Sequence, residues 1–321
     1  MIIDKIKYVI NDMKTYSNII ESQKIKVYLD MMFCMIFYGA SPSNYYYFDF
    51  YNASFKERKS FLTHRYNEKL IKKYNNKNDI WRLEDKYEFE KEYSYYCKRK
   101  CIKNKNITYE NFMKYFDEHK IIYKSLRGGQ GKNIKTYQVK KDNSKSIFKE
   151  LINFPEGIIE EWIDQDAKMS SLYSNAINPI RIQTIRLNGK VSIIVATLTI
   201  GNNTNIANAS AANSIFGLVD ITNGTVYTDG YDYNGNCYKE HPMSHIKIKG
   251  FVIPNWNDVI SLVESIALKI PNLGYIGWDV AITPDGACII EGNNDAGYLA
   301  YQLPMLTKEH RGIKENYKMY L

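Results

Sequence analysis

The chain has 321 residues, a mass of 37.5 kDa and a formal net charge of +8. Hydrophobic residues make up 45% of it and charged residues 24%, ordinary values for a globular protein that exclude a largely disordered chain. The longest uncharged stretch near the N-terminus, which begins at Met31, falls short of the roughly 20 apolar residues of a membrane span. The first residues lack a signal-peptide pattern, and the five cysteines are scattered. We therefore expect a soluble cytoplasmic protein without a membrane span.

The charge is distributed unevenly along the chain. Residues 1–150 contain 31 basic and 18 acidic residues, whereas residues 151–321 contain 12 and 17. This asymmetry is typical of a phosphate-binding half that faces a carboxylate-rich, metal-binding half. An alternative explanation is the mutational bias of an AT-rich genome, which favours lysine over arginine: only 8 of the 43 basic residues are arginine. No nucleic-acid-binding motif accompanies the charge, so we expect no nucleic acid partner.

The apolar pattern predicts a helical N-terminal region over residues 1–83, followed by an α+β region with mostly antiparallel strands. In chain order, that region is predicted to contain a helical stretch at 83–105, a helix at 112–119, a strand at 121–126, a glycine loop at 127–131, a strand at 134–139, an apolar segment at 157–163, a hairpin around Asn188-Gly189, a loop at 201–217, a helix at 257–270 and a hairpin at 274–294.

The hairpin near the C-terminus carries the most informative residues. Its Thr-Pro-Asp-Gly turn suits a type I turn and predicts a three-residue loop over residues 284–286. In that register Asp279 faces Glu291, and Asn293 lies on the same face because side chains alternate along a strand. Five apolar residues are predicted to share the other face: Trp278, Val280, Ile282, Cys288 and Ile290.

Two opposed carboxylates at about 5 Å repel each other by about 3 kcal/mol at an effective dielectric constant of about 20. No basic residue lies near them in sequence, and a divalent cation would relieve the repulsion. Asp279, Glu291 and Asn293 form an all-oxygen ligand set suited to Mg²⁺ or Mn²⁺. Two alternatives stay open: a solvated polar face on an edge hairpin, and a two-residue turn that moves Glu291 to the other face.

A glycine-rich loop follows the predicted strand that ends near Lys124. Gly128, Gly129 and Gly131 would allow backbone amides to approach phosphate oxygens closely, and Lys132 adds a positive charge. The loop matches neither a Walker A motif nor a dinucleotide-binding fingerprint. It predicts either a phosphate-binding loop or an ordinary glycine-rich turn.

Taken together, these residues resemble the sugar-transfer-associated ATP-grasp proteins, a family found near cell-surface polysaccharide genes. The resemblance covers nearly the whole chain, and Gly-Trp-Asp at 277–279 followed by Glu-Gly-Asn at 291–293 is its most specific part. The other matching segments, in family order, are Gly39-Ala-Ser-Pro with Glu57-Arg58, Asp85-Lys86, Lys124 with the glycine loop, Ile159–Ile163, Asn178–Ile182, Ile200-Gly201, His241-Pro242 and Ile253–Trp256.

The resemblance implies the ATP-grasp fold, an α+β fold in which two α+β subdomains with antiparallel sheets clasp ATP. It divides the chain into a helical N-terminal region at 1–83, an N-terminal subdomain with the glycine loop at 84–160, and a C-terminal subdomain with the metal-binding hairpin at 161–321.

The resemblance also implies roles for site residues. The phosphates would be bound by lysines under a lid at 127–132, adenine by a hinge strand at 160–163, and ribose by Glu161 or Asp166. Mg²⁺ (or Mn²⁺) would bridge the phosphates. The implied ATP-binding residues are Lys86, Lys124, Gly128, Gly129, Gly131, Glu160, Glu161, Trp162, Ile163 and Asp166, and the implied metal ligands are Asp279, Glu291 and Asn293.

Arg181 and Lys124 are the implied catalytic residues. If Asn188-Gly189 forms a two-residue turn, Arg181 and Arg186 lie five residues apart on one strand and point to opposite faces. Arg181 occupies the family-like Asn-x-x-Arg frame, so we assign it to the nucleotide site and give Arg186 a structural role. A buried strand arginine requires an anionic partner, which a phosphate or an acyl phosphate would supply.

The resemblance implies an ATP-dependent carboxylate–amine (or carboxylate–thiol) ligase that releases ADP through an acyl-phosphate intermediate. The substrates would be an acidic sugar of a cell-surface polysaccharide or its precursor and an amino acid or amine. Residues 207–213 depart from the family pattern where an acceptor would bind. The alternatives are an ATP-dependent phosphotransferase, a non-catalytic nucleotide-binding partner of a polysaccharide-assembly glycosyltransferase, and a peripheral membrane protein attached through residues 25–38.

Overall fold

The computed structural model describes residues 2–20, 24–126, 134–202 and 214–321. The chain forms two compact units, Met1–Asn75 with Gly297–Leu321, and Asn76–Ala296. The predicted boundaries at 83/84 and 160/161 stay a prediction. None of the described helices is both long enough and apolar enough to cross a membrane.

The first unit is helical, as the three–four spacing of its apolar residues predicts. Ser41 and Ser54 each form a capping box that starts a short helix, and its core contains the stacked rings of Phe48 and Phe61. Its helices are α1 (Ile2–Ile19), α2 (Lys24–Phe37), α3 (Pro42–Tyr47), α4 (Phe55–Ser60) and α5 (His64–Tyr74), with 3₁₀ turns at Ala300–Gln302, Lys308–His310 and Lys314–Tyr317.

The second unit alternates helices with two antiparallel sheets, which confirms the α+β prediction. Its helices are α6 (Trp81–Glu84), α7 (Lys86–Glu92), α8 (Ser94–Cys97), α9 (Tyr109–Phe116), α10 (Ser144–Asn153), α11 (Ala167–Leu172) and α12 (Trp256–Lys269), with a 3₁₀ turn at Lys77–Asp79.

Over the described residues, the smaller sheet has four strands in the order β1-β4-β2-β3 and the larger one has seven in the order β11-β10-β5-β6-β7-β8-β9. The strands are β1 (Cys101–Lys103), β2 (Lys120–Ser125), β3 (Lys135–Gln138), β4 (Gly157–Glu161), β5 (Ile180–Leu187), β6 (Lys190–Gly201), β7 (Ser214–Val219), β8 (Gly230–Tyr231), β9 (Cys237–Tyr238), β10 (Tyr275–Thr283) and β11 (Gly286–Asn293).

Each sheet packs one face against amphipathic helices. Phe112 and Phe116 of α9 pack with Ile121 of β2 on the smaller sheet. On the larger sheet, Val263 of α12 shares a core with the fully buried Trp278. The indole nitrogen of Trp278 donates to Thr184 Oγ1 at 2.9 Å, so burying this ring leaves no polar atom unpaired.

Two predicted elements are wrong in part. The helical stretch 83–105 ends at Cys97, because Lys98 adopts a left-handed conformation (φ +52°) and residues 101–103 pair with β4 instead. Cys97 and Cys101 therefore do not share a helix face. The loop predicted over 201–217 is also partly strand: β6 runs through Gly201, and β7 begins at Ser214.

The β10–β11 hairpin has a shorter loop than predicted. Thr283 pairs with Gly286, so the loop has two residues and the predicted three-residue loop over 284–286 is wrong. Continued without interruption, this register would carry Glu291 to the face opposite Asp279, which is the alternative left open by the sequence.

A β-bulge restores the predicted pairing. Val280 pairs with Ile289, but the next pair along the ladder is Asp279 with Glu291, so Ile290 is an extra residue on β11. The two acids are therefore cross-strand partners, as the sequence predicts, although by a different route.

The bulge also changes which apolar residues share a face. Cys288 and Ile290, predicted to lie with Trp278, instead pack with Ala281 and Ile163. Both faces of the hairpin are consequently buried, and the prediction that its apolar residues share a single face is wrong.

Replacing Gly277 by alanine is expected to destabilise the protein by about 1–3 kcal/mol. A Cβ there would lie 2.5 Å from the carbonyl oxygen and 2.8 Å from the Cα of Ala296, and neither backbone atom can move aside easily. Urea unfolding measures the loss. The control is Gly189→Asn in the β5–β6 turn, where φ is +76°, nothing lies within 4 Å and asparagine is tolerated. An unchanged unfolding midpoint for Gly277→Ala would contradict the prediction.

Candidate active site

Three charged side chains lie in one row across neighbouring strands of the larger sheet. Asp279 on β10 pairs with Glu291 on β11 on one side and with Arg181 on β5 on the other. The sequence predicts the pairing of the two acids but not their placement beside the arginine, because β5 and β10 are almost 100 residues apart.

Arg181 forms a two-point ion pair with Asp279. Its Nε lies 2.6 Å from Oδ1, and its second guanidinium nitrogen donates to Oδ2 at 2.9 Å. The expected anionic partner of Arg181 is therefore a protein carboxylate. No basic residue lies near the two acids in sequence, but the fold places Arg181 against Asp279, so their proximity does not by itself require a metal.

The pKa values of the two carboxyl groups shift in opposite directions, although burial raises both. Burial raises the pKa of Asp279 to about 7 against the opposing effect of Arg181, and Glu291 adds to the rise. Burial also raises the pKa of Glu291, but the positive charges of Arg181, Lys124 and Lys86 outweigh it and hold that pKa below its usual value. Glu291 is therefore the more firmly ionised of the two acids.

The donor set is compatible with a hard divalent cation. Asp279, Glu291 and Asn293 supply oxygen donors, and the amide nitrogen of Asn293 lies 3.4 Å from Glu291 Oε1, so the three groups are adjacent. Among the residues that the structure describes, no group of three or more His, Cys, Asp and Glu side chains is placed to hold a metal. A metal at this row would thus rely on two carboxylates and an amide.

Lys124, on β2, pairs with a buried acid of β4, the strand at which the hinge is predicted. Its Nζ lies 2.5 Å from Oε2 of Glu160, whose side chain is 3% exposed. Burial raises the pKa of Glu160, but Lys124 and Arg99 outweigh it, and the pKa is lowered. Glu160 therefore keeps its negative charge inside the protein and holds the ammonium group of Lys124.

Lys86 is the first residue of α7, directly after the N-cap Asp85. Its charge, like that of Lys124, contributes to the low pKa values of both Glu160 and Glu291. The structure therefore brings the two lysines into the electrostatic field of both acids.

Two buried charges beside this site were not predicted from the sequence. Arg99 and Glu90 are each 3% exposed and form an ion pair, and Nε of Arg99 lies 3.7 Å from Glu160 Oε2. The only sequence signal was the basic triplet Lys98-Arg99-Lys100, which is more typical of a solvated surface.

The remaining hinge residues are held by local contacts. Oε1 of Glu161 lies 3.0 Å from Nε2 of His119. The ammonium group of Lys120 lies over the ring of Trp162, 3.5 Å from its centroid. Ile163 packs against the β10–β11 hairpin. Asp166 caps α11, where its Oδ1 accepts hydrogen bonds from the amides of residues 168 and 169. Their roles toward a nucleotide stay predictions.

The predicted phosphate loop, with Gly128, Gly129 and Gly131, lies outside the described residues, and so does the whole of the divergent stretch 207–213. His241 is fully buried, and its Nε2 donates to Gly201 O at 2.7 Å while Nδ1 accepts from the amide of Ser244. Burial lowers the pKa of His241, which favours its neutral form.

Arg186 has the structural role expected of it. Its guanidinium donates to the carbonyl oxygens of Ala267 and Leu268 at the end of α12, and to that of Leu273. The contact closes the helix C-terminus, where a cation is favourable, and leaves Arg181 as the arginine of the carboxylate row.

Comparison with protein families finds one match. The model described as sugar-transfer associated ATP-grasp matches residues 65–314. No curated protein matches the chain.

Three solved structures illustrate the similarity. They are the ATP-grasp ligase PsnB with its minimal precursor (13% identity, TM-score 0.39, 70% of this chain and 55% of PsnB), the ADP complex of purK, an N5-carboxyaminoimidazole ribonucleotide synthetase (13%, 0.42, 67% and 45%), and D-alanyl-alanine synthetase A from Vibrio cholerae O1 biovar eltor str. N16961 (10%, 0.41, 74% and 60%). The chain spans about half of the length of these proteins. With TM-scores below 0.5, these similarities carry no argument about this chain.

Proposed function

The chain belongs to the sugar-transfer associated ATP-grasp family, and on that premise we propose that it is an ATP-dependent carboxylate–amine ligase that releases ADP. The proposal is supported above all by the row Arg181–Asp279–Glu291, which lies within the electrostatic reach of Lys124 and Lys86. This arrangement suits a triphosphate better than a neutral ligand, because it combines cations for phosphate with oxygen donors for its metal.

In the proposed reaction, a substrate carboxylate oxygen attacks the γ-phosphorus of ATP, and the bond to the β-phosphate oxygen breaks to release ADP. An amine then attacks the acyl carbon of the acyl phosphate, and phosphate leaves with formation of an amide. Lys86 and Lys124 would bind the phosphate chain, and Arg181 would offset charge on the transferred group. Catalysis of this kind rests on positioning and electrostatic stabilisation.

Asp279, Glu291 and Asn293 would hold the magnesium ion, which when bound neutralises phosphate charge. The donor types fit, since all three offer oxygen and Glu291 stays ionised. Arg181 keeps Asp279 oriented through its two-point contact.

The substrate class we propose is an acidic sugar, joined through its carboxylate to an amino acid or another amine. The sugar-transfer description of the family supports this choice. The acid would come from a surface polysaccharide or its precursor, and the amine would be free.

The test is a coupled ADP-release screen of uronic acids against amino acids with Mg²⁺ and ATP. We expect ADP, inorganic phosphate and an amide product, detected by mass spectrometry, in equal amounts and only when both substrates are present. A phosphorylated sugar without amide would instead indicate the phosphotransferase. Nucleotide binding without turnover on any pair would favour the non-catalytic partner.

A further inference from the structure

Arg99 connects the two sheets of the second unit at the candidate site. It lies between α8 and β1, and its side chain is 3% exposed. One terminal nitrogen donates to the carbonyl oxygen of Ile289 at 2.7 Å, and the other donates to that of Ile290 at 2.9 Å. A residue next to the smaller sheet thus binds the backbone of the larger one.

The two carbonyl groups belong to the bulge of β11. Ile290 is the extra residue that brings Glu291 opposite Asp279. β11 is the terminal strand of its sheet among the described strands, so its outward carbonyls require another donor. Arg99 supplies it at the residues that set the position of Glu291.

The other contacts of Arg99 lead to the phosphate-binding side. Its Nε lies 3.7 Å from Glu160 Oε2, the same oxygen that holds Lys124 at 2.5 Å. Glu90 of α7, whose side chain is 3% exposed, pairs with a terminal nitrogen of Arg99. The terminal nitrogens of Arg99 therefore bind the bulge carbonyls and Glu90, and the guanidinium also lies within ion-pair distance of Glu160.

We propose that Arg99 is a positioning residue that fixes Glu291 and Lys124 relative to each other, so that the metal-binding carboxylates and the phosphate-binding lysine meet the same nucleotide. The inference rests on the proposed function for its ligand. Arg99 itself does not contact the substrate. It acts through the bulge carbonyls and through Glu160.

An arginine is required by the geometry. The terminal nitrogens of the guanidinium donate to two carbonyls and to Glu90 at once while Nε stays 3.7 Å from Glu160, whereas a lysine at this position would offer a single ammonium group. Arg99→Lys keeps the charge and removes the fork, so it separates positioning from simple charge neutralisation.

The experiment measures the affinity of the full chain for ADP by calorimetry, with and without Mg²⁺. Mg²⁺ is expected to increase the affinity of the wild type for ADP. In Arg99→Lys we expect this increase to be about 10–100-fold smaller, which is the range found when residues that orient metal ligands are removed. Arg186→Lys is the matched control, since Arg186 also donates to main-chain carbonyls but lies at the end of α12. It is expected to lower the melting temperature and to leave the Mg²⁺ effect within about twofold.

If Arg99→Lys fails to fold, the double variant Arg99→Gln with Glu90→Gln replaces it, because it removes one buried charge of each sign. The inference is overturned if the folded variant keeps the wild-type Mg²⁺ effect within twofold, or if Arg186→Lys loses as much. The experiment measures binding, so it does not depend on amide formation. If the protein binds ADP with Mg²⁺ but forms no amide, the ligase proposal is contradicted, and the binding data still test the role of Arg99.

Discussion

Glu291→Gln and Asp279→Asn are each expected to lower kcat/KM for ADP formation by at least about 100-fold. Each change replaces a carboxylate with an amide of the same shape, so it removes one negative charge from the proposed magnesium site and little else. Glu291→Gln is the cleaner variant, because Asp279→Asn also takes the two-point carboxylate partner away from Arg181.

The measurement is steady-state ADP release over a Mg²⁺ titration, with circular dichroism to establish that each variant is folded. Asp285→Asn is the matched control: it makes the same chemical change on the same hairpin, at an exposed position in the loop. We expect the control to stay within twofold of the wild type. Full activity in both Glu291→Gln and Asp279→Asn would show that the row does not bind the metal.

The pairing of Asp279 with Glu291 could be predicted from the sequence because the turn residues and the alternation of side chains allow few registers in a hairpin. The same reasoning could not predict the bulge at Ile290, since a shorter loop with an extra residue on one strand returns the two acids to the same partners.

The positive charges of the site were harder to predict, because their partners are distant in sequence. Arg181 meets Asp279 across 98 positions, and Arg99 meets the carbonyl of Ile290 across 191. Local pattern contains no information on such contacts. The family resemblance selected Arg181 through its motif, whereas Arg99 belonged to no motif and resembled a surface residue.

The predictions of secondary structure show the same difference between elements set by local pattern and elements set by distant contacts. Helices with a strong apolar stripe, such as α9 and α12, were predicted to within a few residues. The short strand β1 was not, because its three residues carry no alternation of their own and are ordered by pairing with β4.

Lys124→Met is expected to have the second largest effect, and on two properties at once. Activity should fall by at least about 100-fold, because the variant lacks a cation at the phosphate chain. The free energy of unfolding should also fall by about 1–3 kcal/mol, since Glu160 loses its nearest counter-charge; the loss is smaller than for a fully broken buried pair because Arg99 remains.

The loss of stability has a predictable pH dependence. The pKa of Glu160 is lowered in the folded protein, so its ionised form stabilises the fold above the ordinary glutamate pKa of about 4.3, and this contribution is lost as the pH falls through the lowered value. Urea unfolding should therefore give the full difference between Lys124→Met and the wild type at pH 7 and a smaller one below about pH 4.

The double variant Lys124→Met with Glu160→Gln separates the two effects. A neutral amide at 160 no longer needs the ammonium group, so we expect most of the lost unfolding free energy to return while ADP formation stays at the level of the single variant. Should activity return together with stability, Lys124 would be a structural counter-ion of Glu160, and the phosphate-binding role would belong to Lys86 or to another cation.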